Sequence, residues 1–363
     1  MTPGLDVRAD SLAYLHSTSL TPAGGACVVL AVPRSDGSWL PDPRRPNVIT
    51  MKLGISMGGF PTGIGSAHIG PLLSRLARRA DEAGFDSLWT MDHFFQIPIT
   101  GQPPEAPLLE AYAVLAFLAA ETERIRLGTL VTSVAYRHPG VLIKAVTAID
   151  VLSGGRVIFG VGAGAPFNRL PPGRSPRNFE AYGLGIPFPS LAERFERLEE
   201  VLQIALQMWR GDETSYEGTH YQLPRPLNSP NSLQHPHPPI LIAGSGEQKT
   251  LRLVARYGDM CNLFDLPGSG YADDLKHKLD VLRSHCEDAG RDHDAIEKTV
   301  STFVDPADDR HRVLDHLAEL ADLGIGHAML SPRRPWDEAI LDSVAALVPD
   351  VHAMGVSRSG GGG

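Results

Sequence analysis

The hydrophobic positions of this chain change period repeatedly. From Met51 onward, short runs of Val, Ile, Leu and Phe alternate with longer stretches whose apolar residues recur every three or four positions. These are the patterns of buried strands and amphipathic helices. Strands are expected at Lys52–Met57, Ser87–Asp92, Arg126–Thr132, Arg156–Gly162, Ile240–Gly244, Met260–Phe264, Lys298–Val304 and His327–Ser331. The helical period predicts Pro71–Ala83, with Leu72, Leu76, Ala80 and Ala83 near one face, and Leu191–Trp209, with Phe195, Leu198, Leu202, Ala205 and Met208 on one face. Further helices are expected at Leu108–Glu121, Pro139–Leu152, Gln248–Tyr257, Tyr271–Ala289, Asp309–Leu323 and Pro335–Leu347. Eight strand-then-helix units predict a (β/α)8 TIM barrel rather than an open doubly wound sheet, because closure leaves no parallel edge strand to cover.

The stretch Arg156-Val-Ile-Phe-Gly-Val-Gly-Ala-Gly164 organises the rest. Glycines at the end of a buried strand let a large ligand approach the backbone, and in a barrel that end is where ligands bind. A GxGxG motif also suggests a dinucleotide fold, but that fold needs a helix opening within the glycine loop. Here Pro166, Pro171, Pro172 and Pro176 follow instead, which favours the barrel. The long segment Ala165–Ser190 falls on the ligand-binding face and reads as a lid or substrate wall. Thr214–Leu223 reads as a small hairpin, followed by a proline-rich crossing from Pro224 to Pro239.

Residues 1–50 sustain no period beyond Ala26–Val32 and are expected to be an N-terminal extension, as upstream sequence translated from an alternative start would be; a small hairpin or lid from Cys27 to Leu40 is the competing reading. The expected boundaries are 1–50 for this extension, 51–350 for the barrel and 351–363 for a flexible tail ending in glycines.

Composition narrows the function classes. A formal charge of -9 over 363 residues, without clustered Lys or Arg, argues against a general grip on nucleic acid phosphates. Cys27, Cys261 and Cys286 lack CxxC spacing, so neither a disulfide framework nor a zinc site is expected, and a cytoplasmic location fits. No apolar run approaches the roughly 18 residues needed to span a bilayer. The expected partners are a small-molecule substrate and a second copy of the chain, with no nucleic acid and no membrane.

Polar residues at strand ends are the candidates for chemistry. Asp92 and His93 end the second strand. An Asp–His pair fixes an imidazole tautomer and suits a proton donor or acceptor; the alternative is that His93 only hydrogen-bonds in a pocket wall. Ala243-Gly-Ser-Gly-Glu247 ends the fifth strand, and its N–H groups with the Ser245 hydroxyl suit a phosphate at a helix start, or form a plain tight turn. Arg137, in Tyr136-Arg-His-Pro139, is either a pocket cation or the partner of an acidic neighbour. His235 and His237 have no carboxylate at metal-ligand spacing, so no metal is expected. Neither a GxSxG elbow nor an HExxH pair occurs. The run Glu193, Arg194, Glu196, Arg197, Glu199 and Glu200 reads as a solvated helix face.

Several stretches taken together resemble the bacterial luciferase-like family of flavin and deazaflavin oxidoreductases, in particular its coenzyme F420-dependent branch. They are Lys52-Leu-Gly-Ile, Ala83-Gly-Phe-Asp-Ser-Leu-Trp-Thr-Met-Asp-His-Phe94, Thr122-Glu-Arg-Ile-Arg-Leu-Gly-Thr129, Tyr136-Arg-His-Pro139, Leu152-Ser-Gly-Gly-Arg-Val157, Gly160-Val-Gly-Ala-Gly164, Glu193-Arg-Phe-Glu-Arg-Leu-Glu199 and Ile242-Ala-Gly-Ser-Gly246. The resemblance runs in order from Met51 to about Leu347.

It implies a cofactor across the strand ends, with its reacting ring near Asp92, His93 and a bulged strand-three end at Leu130 and Val131, and with Thr132 as a further cofactor contact. A non-prolyl cis peptide is implied there, at Leu130–Val131 or else Val131–Thr132. Gly162 and Gly164 would give the cofactor room, and Ala243, Gly244, Ser245 and Gly246 would hold its phosphate. His93, with Asp92, would be catalytic as a proton donor or ring contact. Family members that oxidise sugar phosphates carry a Glu where this chain has Ala165, which argues against that substrate class. The expected activity is that of a reductase using F420. The alternatives are an FMN-dependent monooxygenase, set apart by oxygen chemistry a deazaflavin does not support, and a non-catalytic ligand-binding barrel. Substrate contacts are expected mainly from the loops Gly58–His68, Phe94–Pro107 and Ala165–Ser190.

Overall fold

The computed structural model describes residues 49–61, 63–97, 100–164, 179–265, 271–305 and 308–357. Its strands, in chain order, are β1 (Lys52–Met57), β2 (Ser87–Thr90), β3 (Arg126–Thr129) continued by β4 (Thr132–Ser133), β5 (Val157–Gly162), the hairpin strands β6 (Tyr216–Glu217) and β7 (Gln222–Leu223), then β8 (Ile240–Ala243), β9 (Met260–Phe264), β10 (Glu297–Val304) and β11 (His327–Pro332). Hydrogen bonding joins β11 to β1 and β3 to β5, so all eight parallel staves have neighbours on both sides and the (β/α)8 barrel is closed. Around it lie α1 (Ser66–Ala83), α2 (Ala111–Glu121), α3 (Pro139–Ser153), α4 (Phe179–Gly183), α5 (Leu191–Trp209), α6 (Thr250–Tyr257), α7 (Tyr271–Asp288), α8 (Arg310–Asp322), α9 (Glu338–Ala345) and α10 (Val348–Ala353).

The expected elements are present, with shifted helix starts that have local causes. α1 begins at Ser66, so Pro71 lies inside it rather than at its first position. Pro71 and Ala67 are both exposed, so water can satisfy the carbonyl that Pro71 leaves without a donor. α2 starts at Ala111, later than expected, because the Glu110 carboxylate accepts from the Ala113 N–H and caps it. Asp337 caps α9 in the same way, through the Ile340 N–H. The expected boundaries at residues 50 and 351 cut through packed structure. Thr50 bridges Gly355, the Val356 N–H donates to the Ile49 carbonyl, and Val351 is fully buried. The leader before residue 49, including Cys27, and the tail after residue 357 lie outside the described residues. Among the described residues, no helix is long and apolar enough to cross a membrane.

Inside the barrel the side chains stack in layers. Trp89, Ile158, Leu241, Met260 and Met329 fill the middle. Trp89 lies so close to β3 that a Cβ on Gly128 would sit 2.6 Å from its ring, so only glycine fits there. Beneath this layer a polar chain closes the amino-terminal face. The Trp89 indole donates to Ser87 Oγ, Ser87 meets His327 Nε2 at 2.8 Å, and His327 Nδ1 lies 3.3 Å from Glu297, which Lys52 also holds at 3.0 Å.

The ladder slips beside β5. Leu127 pairs with Val157 but Thr132 pairs with Val161, so a five-residue advance on β3–β4 faces a four-residue advance on β5. The extra residue is a bulge, and the Leu130–Val131 peptide within it is cis, the first of the two expected positions.

Burial opposes ionisation of Glu297, but His327 and Lys52 outweigh it and hold the carboxyl down at about 2 against an ordinary 4.5. A depressed carboxylate contributes stability above its unfolded value and loses it as pH falls toward the folded one. The melting-temperature gap between the wild type and Glu297→Gln should therefore be full above about pH 5 and close between pH 4.5 and about 2; a gap independent of pH over that window would remove Glu297 from the acid response.

Candidate active site

At the carboxyl ends of the staves the barrel opens into a cavity of about 440 Å³, a size suited to a drug-sized ligand. Its walls are mainly apolar, with Met91, Ile97, Leu130, Val131, Phe195 and Trp336 prominent. Asp92, His93 and Arg334 are its only Asp, Glu, His, Lys or Arg side chains among the described lining residues, and Tyr136 adds a phenol. Asn262 and Ser301, hydrogen-bonded at 3.0 Å, supply polarity at the floor.

Most of the expected site residues meet here. Asp92, His93, Leu130, Val131, Gly162, Gly164, Ala243, Gly244 and Ser245 all line the cavity; Thr132 and Gly246 do not. Thr132 is fully buried behind the bulge, its hydroxyl bonded to Tyr112 at 2.6 Å and Thr129 at 2.7 Å, so it braces the wall from the rear. Gly162 and Gly164 accommodate the protein itself as well as any ligand. A Cβ on Gly162 would meet Val131 Cγ2 at 3.0 Å, and one on Gly164 would meet Ser133 Oγ at 2.4 Å.

The expected Asp92–His93 pair does not form. Successive residues of an extended chain project to opposite sides. The Asp92 carboxylate instead accepts two hydrogen bonds from Arg137, at 2.7 and 2.9 Å, and Glu110 joins the same guanidinium. Burial pushes the Asp92 carboxyl up while Arg137 pulls it back. Arg137 is thus the partner of an acidic neighbour, the second of its two expected roles. Its guanidinium also lies 4.6 Å from the centre of the Tyr112 ring, which fixes it in place.

His93 finds its partner on α4, within the long connection after β5. Its Nδ1 lies 2.8 Å from Glu180 Oε2, which also accepts from the Tyr136 hydroxyl at 2.9 Å. Glu180 Oε1 accepts the N–H groups of Phe94 and Phe95 at 2.9 and 3.0 Å. Burial works against the Glu180 charge, but the His93 hydrogen bond and these other donors keep the carboxyl below the ordinary carboxylate range. Residue patterning did not single out Glu180. Its one signal is that it is the only acidic residue between Ala165 and Ser190. Ala165 itself, with the stretch through Asn178, lies outside the described residues.

Across the cavity, Gly244, Ser245 and Thr250 form the opposite rim. α6 begins at Thr250, two residues after the expected Gln248, leaving a turn between the Gly-Ser-Gly motif and the helix. Gly244 has φ of 124°, which L side chains rarely adopt, and Ser245 is exposed. Lys249 lies 5.4 Å from the Phe195 ring centre. Of the loop histidines, His237 stacks on Trp209 with ring centres 6.0 Å apart, and His235 is exposed. Among the described residues, no group of three or more His, Cys, Asp or Glu side chains is placed to hold a metal ion.

A sequence model of the luciferase-like monooxygenases matches residues 55–345. The chain belongs to that family. Relatives of this luciferase-like protein include an F420-dependent glucose-6-phosphate dehydrogenase of Kineococcus radiotolerans, 28% identical over 286 residues that cover 75% of this chain and 77% of the relative. The enzyme of the same name from Nakamurella multipartita is 32% identical over 248 residues, covering 67% and 66%. Among solved structures, an F420-dependent secondary alcohol dehydrogenase in complex with an F420-acetone adduct superposes with a TM-score of 0.68 at 18% identity, over 83% of this chain and 99% of that one. The coenzyme F420-dependent tetrahydromethanopterin reductase from Methanopyrus kandleri gives 0.63 at 17% identity, with the same coverage. At these identities the superpositions establish the shared fold.

Replacing Arg137 by Met should strand the buried Asp92 charge and cost about 3–5 kcal/mol of unfolding free energy, with much of the loss restored when Asp92→Asn is added. Urea denaturation of the two variants checks this; a loss below about 1 kcal/mol, the worth of an exposed pair, would show the ion pair to be marginal.

Proposed function

We propose that this luciferase-like protein is a coenzyme F420-dependent oxidoreductase running as a reductase, with an activated C=C, C=N or C=O bond of a small organic substrate as hydride acceptor. One observation carries the reading: a single cavity joins an apolar wall at Leu130–Val131, a histidine paired with a buried carboxylate, and a glycine–hydroxyl rim. These parts fit a deazaflavin. Leu130 and Val131 offer apolar side chains for a ring, and Gly244, Ser245 and Thr250 offer backbone and hydroxyl groups for a phosphate. Bound there, the reduced cofactor supplies a hydride.

The chain's own residues do the rest. The apolar walls keep water from the reacting atoms. Arg137 balances the Asp92 charge, so the carboxylate is not left bare beside the cavity. His93 lines the same cavity and holds the proton that the reduced product takes up. Substrate class follows from charge. With Arg334 the only Lys or Arg among the described lining residues, and exposed, the cavity suits an uncharged or singly charged substrate better than a sugar phosphate.

A cytoplasmic homodimer belongs to the same proposal. What supports a dimer is the outer face of α2 and α3, where Phe117 is 38% exposed and Val141 65%. Isolated exposed apolar residues are ordinary, so solution mass decides. Light scattering should give twice the chain mass, and Val141→Glu should shift it toward one; a wild type that stays monomeric at micromolar concentration would end that part.

The cofactor is tested by fluorescence titration of the purified protein with F420 and with FMN. F420 should bind at least about tenfold more tightly, a difference of about 1.4 kcal/mol. Stoichiometric FMN retained through purification, with no measurable F420 binding, would favour the monooxygenase alternative.

A further inference from the structure

We infer that Glu180 is the positioning residue of the site: it holds His93 in the Nδ1–H tautomer, so that a proton passes between the protein and a ligand in the cavity through Nε2. The inference starts from the hydrogen-bond capacity of a carboxylate. An ionised carboxylate only accepts, so each of its close neighbours must donate. Phe94 and Phe95 donate backbone N–H groups to Oε1, and Tyr136 donates its hydroxyl to Oε2. The fourth neighbour, His93 Nδ1 at 2.8 Å from Oε2, must therefore carry a hydrogen. Glu180 is 1% exposed, so water does not compete for this role. The depressed carboxyl of Glu180 agrees with the ionised state.

The charged groups around His93 are disposed consistently. Asp92 precedes it but is bound by Arg137, and Glu110 from the start of α2 reaches the same guanidinium. Tyr136 meets Glu180 on the oxygen that His93 uses. In the reductive direction the imidazolium gives its Nε2 proton to the substrate, and neutral imidazole remains with hydrogen on Nδ1. Glu180 stabilises both states, so proton donation requires no rearrangement of the ring.

Glu180→Gln provides a specific test because the two oxygens have different partners. Two backbone N–H groups face Oε1, so the Gln side chain must keep its oxygen there and turn its NH2 toward His93 Nδ1. The amide then donates, and His93 must move its hydrogen to Nε2. Histidine-labelled protein without cofactor, observed by nitrogen-15 NMR at a pH where imidazoles are neutral, reports this directly. The His93 signal is assigned by its loss in His93→Asn. The wild type should show the Nδ1–H tautomer, Glu180→Gln the Nε2–H tautomer, and Tyr136→Phe should keep the wild-type form. A wild-type His93 in the Nε2–H form overturns the inference whether or not any variant folds, as does a Gln variant with the tautomer unchanged.

The kinetic arm alone rests on the proposed function. In single turnovers of reduced F420, Glu180→Gln should slow hydride transfer by about a hundredfold, the usual worth of a positioned acid, with cofactor affinity within about threefold. Equal losses in affinity and rate would make Glu180 a structural brace and overturn its positioning role. Failure of the wild type to bind F420 would sink the cofactor reading while leaving the NMR result to decide the tautomer.

Discussion

The closure of the barrel between β3 and β5 is the constraint on which the site depends. At Gly160 a Cβ would fall 1.9 Å from the Thr129 carbonyl oxygen, so the two staves meet only because that position is glycine. The Thr129 hydroxyl reinforces the junction by donating to the Gly160 carbonyl at 2.9 Å. Just beyond it the register slips by one residue, and the surplus backbone carries Leu130 and Val131 into the mouth of the cavity. The apolar wall is thus a by-product of how the barrel closes. Thr132 and Tyr112 lock it from behind.

Two buried carboxylates then divide the labour. Asp92, 2% exposed, is committed to Arg137 through two hydrogen bonds. Glu180 collects two backbone N–H groups, a phenol and an imidazole. Arg194 performs a third task on the opposite side, donating to the carbonyls of Ala163 and Pro189 and so pinning the glycine-ended strand to the segment that follows it.

The barrel was legible because its signal is periodic and repeated. Lys52–Met57 and Met260–Phe264 stand where the apolar runs placed them, since buried strands bounded by polar residues leave little freedom in register. Helix starts were less legible because single capping side chains such as Glu110 and Asp337 set them. At the site, strand-end residues could be named in advance because the fold dictates which ends converge. Thr132 stands behind the wall, its hydroxyl engaged by Tyr112 and Thr129, a placement that strand patterning does not record. The partner of His93 was misjudged for a different reason. Glu180 lies 87 residues away on a short helix within an irregular connection, and no local period records that such a segment folds back onto the loop after β2.

The central claim is that the cavity between the Leu130–Val131 bulge and the Gly244–Thr250 rim holds a deazaflavin with His93 at its reacting edge. A crystal structure of the complex with F420 measures this most directly. The account predicts the ring packed on Leu130 and Val131, the phosphate within hydrogen-bond distance of Ser245 or Thr250, and His93 Nε2 facing the hydride-bearing carbon or the substrate beside it, with Glu180 still on Nδ1. A ring bound elsewhere on the barrel, or a His93 turned away from both the ring and Glu180, would contradict it.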